Sequence, residues 1–96
     1  MTDEQVTTLW IGATRYYLGR MTYAVSDFCQ LLRQTWDLLP DRVKDLIRRD
    51  VEIEFERDDL VRSAESQPSF LPLGCDCDRG EWEKVRQLWS GVGEQA

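Results

Sequence analysis

At 96 residues the chain has room for one small domain, and 42% hydrophobic with 31% charged residues is ordinary globular composition rather than that of a disordered chain. Eighteen carboxylates against twelve Lys and Arg give a formal net charge of −6, which argues against binding DNA, RNA or an anionic membrane through a general positive field. No apolar run approaches the roughly 18 residues of a membrane span, and the acidic start Met1-Thr2-Asp3-Glu4 carries no secretory signal, so the expected location is the cytoplasm.

The first predicted helix opens at Thr2, where Thr2-Asp3-Glu4-Gln5 reads as a capping box, and its apolar pattern runs to about residue 36. Ile11, Leu18, Met21, Val25, Phe28, Cys29, Leu32 and Trp36 fall on one side at 100° per residue, with Trp10 and Tyr17 at the edge. That side is the expected core. A helix of this length spans roughly 50 Å at 1.5 Å per residue, against a radius of gyration near 13 Å for a domain of this size. Either it breaks, with Gly12 and Gly19 as natural points, or it projects beyond one protomer. The expectation is a homodimer or larger oligomer.

The opposite side of this helix is unusual. Gly12, Tyr16, Gly19, Tyr23 and Gln30 form a narrow stripe, flanked by Arg15 and Ser26 on one edge and by Arg20 and Asp27 on the other. Interior glycines cost about 1 kcal/mol each relative to alanine, so a close approach of something should compensate. One reading is a packing interface in which each arginine pairs with a carboxylate. The other is a pocket for a small anion such as a nucleotide, with Arg15 and Arg20 on phosphate and Tyr16 and Tyr23 stacked on base or ribose. Gly19 would then admit the ligand, and Asp27 would sit at the rim.

Pro40 and Asp41 open the second predicted helix, which runs over about 40–62. Val43, Leu46 and Ile47 mark its inner face, and Asp50 falls among them, with Glu54 and Arg57 nearby. An inward carboxylate needs a cation, so a buried ion pair is expected from Asp50 to Arg15 or Arg20, with Arg49 adjoining. The outer face carries Asp41, Asp45, Glu52, Glu56 and Asp59. Such a stripe is usually solvated surface. The alternative is a negative array, of Asp45, Glu52, Glu56 and Asp59, presented to a basic groove on another protein.

Two prolines and a glycine make 63–78 a loop, with Phe70, Leu71 and Leu73 expected to pack down. Asp78-Arg79-Gly80-Glu81 is a second capping signature, and Trp82, Val85, Leu88 and Trp89 share one face of a third helix over about 79–90. Gly91 and Gly93 end it. The expected fold is therefore all-α, a single domain over 1–96 with three helices, a long first one, and no strand.

Reactive groups are few. Three cysteines are an odd number and there is no histidine, so neither a disulfide framework nor a Ser–His or Cys–His nucleophile pair is expected. Cys75 and Cys77 have only Cys29 as a third thiolate, so they are read as reduced and structural, with no metal and no cofactor. Carboxylates a turn apart without a nucleophile do not make an acid–base site, and a non-enzymatic protein is expected.

The run Arg15-Tyr16-Tyr17-Leu18-Gly19-Arg20-Met21-Thr22-Tyr23-Ala24-Val25, then Arg49-Asp50, then Asp76-Cys77-Asp78-Arg79 followed by Trp82, resembles small phage- and prophage-encoded accessory proteins. The resemblance covers most of the chain from Trp10 to Trp89, apart from the 63–72 loop. It implies a host-cell cytoplasmic setting and counter-defence by stoichiometric binding. Two modes follow: sequestering a nucleotide-type immune signal, or blocking a host defence protein complex in the manner of anti-CRISPR proteins.

Overall fold

A computed structural model describes residues 2–18, 24–64, 71–74 and 76–90. Among these residues the chain is all-helical, without a strand: α1 (Asp3–Tyr17), α2 (Ala24–Thr35), a 3-10 turn (Trp36–Leu38), α3 (Asp41–Arg62) and α4 (Asp76–Ser90). None of these helices is long and apolar enough to cross a membrane.

Local chemistry sets most of the helix ends. The Gln5 backbone N–H donates to Thr2 Oγ1 at 3.2 Å, and Gln5 Oε1 accepts from the Thr2 backbone N–H at 2.9 Å. This is the capping box read from the sequence, with Asp3 and Glu4 at the positive end of the helix dipole. Pro40 precedes α3 in an extended conformation and its carbonyl accepts from Lys44 N. Gly74 takes φ 75°, a left-handed conformation, to close a turn in which its N–H donates to Leu71 O just before α4.

Two boundaries differ from the sequence expectation. The single long helix over 3–36 is instead two helices, because Leu18 leaves the helix in an extended conformation (φ −62°, ψ 129°). A continuous helix of roughly 50 Å would also exceed the longest dimension of the molecule, 46 Å. The stripe from Gly12 to Gln30 is thus not one helical face, and helix length no longer calls for a second copy. In addition, α4 begins at Asp76 rather than near Arg79, which places Asp78 inside its first turn instead of at its cap.

The four helices close around one core. Val25, Phe28, Cys29 and Leu32 of α2 meet Trp82 and Val85 of α4, with Val43, Ile47, Val51 and Phe55 of α3 beneath. Each such side chain contributes about 1.5–3 kcal/mol when fully buried. Phe28 is the aromatic hub. Tyr17 stacks on it at 4.7 Å, Trp10 lies 6.2 Å away and Trp82 6.1 Å away. Trp36 and Trp89, 5.4 Å apart, tie the 3-10 turn to α4. Leu73 packs fully into the core, as expected of the loop before α4. Phe70 and Met21, also expected to be buried, lie outside the described residues.

Candidate binding surface

Gly12, Arg15 and Tyr16 stand on the exposed side of α1. Helical spacing puts them there because Ile11 and Thr14 turn inward, Thr14 with its hydroxyl donating to Trp10 O at 2.8 Å. A Cβ built on Gly12 would meet nothing within 4 Å among the described residues, so the space above it is open. Tyr16 lies edge-on to Tyr17 at 5.1 Å, and Tyr17 is itself held by Phe28. The exposed ring is therefore braced from the core.

Arg15 reaches across to α3, where its Nε donates to Asp50 Oδ2 at 2.9 Å. This is the pair anticipated from the sequence, but it is not buried. The Arg15 side chain is 65% exposed and the Asp50 side chain 17%. Asp50 lies on the flank of α3, between the buried positions and solvent. Arg49 is exposed and takes no part in the pair. Asp27 is exposed on α2, whereas Gly19, Arg20 and Tyr23 lie outside the described residues.

The acidic face of α3 is largely answered from within the chain. Glu52 Oε1 accepts from Arg86 Nε at 2.9 Å and from Trp89 Nε1 at 3.2 Å. Burial alone would push the Glu52 carboxyl up, but these two donors outweigh it and hold it below the ordinary value. Asp59 accepts from Arg79 Nη2 at 2.8 Å, and Asp45 lies 3.5 Å from Arg48 Nη2. Glu56 is exposed and has no ion pair among the described residues.

The most buried charge is one that the sequence reading did not single out. Asp58 is fully buried and accepts from Arg62 Nε at 2.5 Å, from Leu73 N at 3.1 Å and from Arg79 Nη1. Burial raises its pKa and these donors lower it by more, so the carboxyl stays below its ordinary value. Arg62 also donates to Asp76 Oδ1 and to Gly74 O. One carboxylate thereby joins the end of α3, the turn at 71–74 and the start of α4. Beside it, the guanidiniums of Arg79 and Arg86 lie 5.1 and 4.7 Å from the centroid of the Phe55 ring.

Among the described residues no group of three or more Cys, Asp or Glu side chains is placed to hold a metal. Cys29 is buried, Cys77 is exposed and Cys75 lies outside the described residues. No protein family, curated protein or solved structure matches the chain.

Proposed function

We propose that this chain is a non-enzymatic, stoichiometric binder of a small anionic, nucleotide-type ligand, acting in phage-type counter-defence. The biological setting rests on the resemblance to phage accessory proteins. The binding reading rests on α1, where an open space above Gly12 adjoins an exposed guanidinium and a braced tyrosine ring. Asp50 holds Arg15 through Nε and offsets part of its charge, which leaves the Nη groups of an exposed fork for a phosphate. Tyr16 offers a stacking plane whose position is set by Tyr17 and Phe28. Gly19, Arg20 and Tyr23 lie outside the described residues and enter the proposal from the sequence alone.

The alternative, an anti-CRISPR-like block through Asp45, Glu52, Glu56 and Asp59, has less behind it. Three of those four carboxylates already face an internal cation, which weakens the field available to a basic partner.

Calorimetric titration of the chain with mono-, di- and cyclic nucleotides tests the proposal. A tight complex is expected with at least one of them, lost in Tyr16→Ala and in Arg20→Ala without loss of fold. Charge reversal at Glu56 should leave it intact. Absence of binding across the nucleotide set would overturn the small-ligand reading.

A further inference from the structure

The outer face of α3 carries a seam that the fold leaves largely unused, with Leu46 at its edge half-buried against the core. Arg42, Leu46, Arg49, Ile53, Glu56 and Leu60 recur at alternating spacings of four and three, which keeps them on one side of the helix. That side is turned away from the buried residues Val43, Ile47, Val51, Phe55 and Asp58. Ile53 is 47% and Leu60 72% exposed. Arg42, Arg49 and Glu56 are exposed, and none has an ion pair among the described residues.

The charge on α3 is also divided along its length. Residues 41–49 carry four cations and two carboxylates, whereas residues 50–62 carry six carboxylates and two cations. Ile53 sits near the middle of this helix of 22 residues, about 33 Å long.

We propose that α3 is a self-association face, on which two copies of the chain pack antiparallel about a two-fold axis near Ile53. In that register Ile53 lies beside its own copy, and Leu60 reaches Leu46 of the second copy. Arg49 falls against Glu56 of the second copy, and symmetry makes that pair twice. The shallow, open depression lined by Glu56, Asp59, Leu60 and Ser63 gives the incoming side chains room at each end. A parallel pairing would set Arg49 on Arg49 and Glu56 on Glu56, so the charge pattern selects the antiparallel one. The occupant is a second copy because the seam complements itself: its basic half fits its own acidic half. This inference does not depend on the ligand proposed for α1.

Sedimentation velocity of the full chain over a rising concentration series tests it. A dimer is expected to build up, and Ile53→Glu should return it to monomer with an unchanged far-ultraviolet circular dichroism spectrum. Leu60→Lys, at a more exposed position, should do the same. Arg49→Glu and Glu56→Arg should each weaken the dimer about tenfold, since each replaces two attractive contacts by repulsive ones. The double variant should recover the affinity. A chain that stays monomeric into the high micromolar range would overturn the proposal. So would a dimer indifferent to both apolar substitutions, or a double reversal that fails to recover.

Discussion

Arg79, in the first turns of α4, donates to the carboxylate of Asp58, which is fully buried near the end of α3. Arg62 and the Leu73 backbone N–H converge on the same carboxylate. The three donors come from α3, the turn and α4, so one side chain pins the start of the last helix to the end of α3.

Asp58→Ala should therefore destabilise the fold by about 3 kcal/mol, because two guanidiniums lose the charge they were desolvated against. Urea titration followed by tryptophan fluorescence measures this. A loss below about 1 kcal/mol would mean that water replaces the carboxylate.

Asp50→Ala should cost only about 1 kcal/mol or less. Its partner Arg15 is mostly exposed, and solvent-exposed pairs contribute little. The same urea titration, run on both variants, should rank Asp58 well above Asp50.

Acid should unfold the chain through its lowered carboxyls. Asp58 and Glu52 lie below their ordinary values in the folded state, so the unfolded chain binds protons first as pH falls. The stability they contribute is complete above about pH 4–5, the ordinary carboxylate range, and is lost as pH falls through their folded values. Melting temperatures taken from pH 6 downward should drop steeply, and Asp58→Asn should flatten that limb.

Cys29 should resist alkylation. Burial, then the carboxylate of Glu81, push its thiol from 9.0 up to about 12. In site-resolved mass spectrometry Cys77 should react within the folded chain and Cys29 only on unfolding. The stability linked to Cys29 is complete below the ordinary value of 9.0 and is lost as pH rises through about 12.

Gly12→Ala separates fold from function. With open space around the new methyl group, helix propensity should stabilise the chain by about 0.5–1 kcal/mol. If the open space serves a ligand, nucleotide affinity should fall at the same time. A more stable variant with unchanged affinity would remove Gly12 from the site.

Local signals were the legible ones. The Thr2 cap, the buried set Val25, Phe28, Cys29, Leu32 and Trp36, and the Trp82–Val85 face can each be read from a short window of sequence. The break at Leu18 was legible only as one of two options, with Gly19 next to it a natural break point, because the apolar pattern keeps its phase across it and periodicity records side chains rather than backbone. Asp58 was legible in principle. It lies three residues after Phe55 and seven after Val51, in phase with the core, and Arg62 follows it by one turn. Asp50 drew the attention instead, although its phase puts it on the flank. Arg79 read as part of a helix cap, because no local rule connects it to a carboxylate 21 positions earlier.

The pair of guanidiniums beside Phe55 constrains how this sequence can drift. Arg79 and Arg86 each combine an ion pair to α3 with proximity to the same aromatic ring. Lysine would keep the charge but lose the planar fork, and glutamine would lose the charge. Lys84, on the exposed side of the same helix and paired among the described residues with Glu81 alone, one turn back, carries no such double duty. Over many generations position 84 should wander freely among polar residues while 79 and 86 stay arginine.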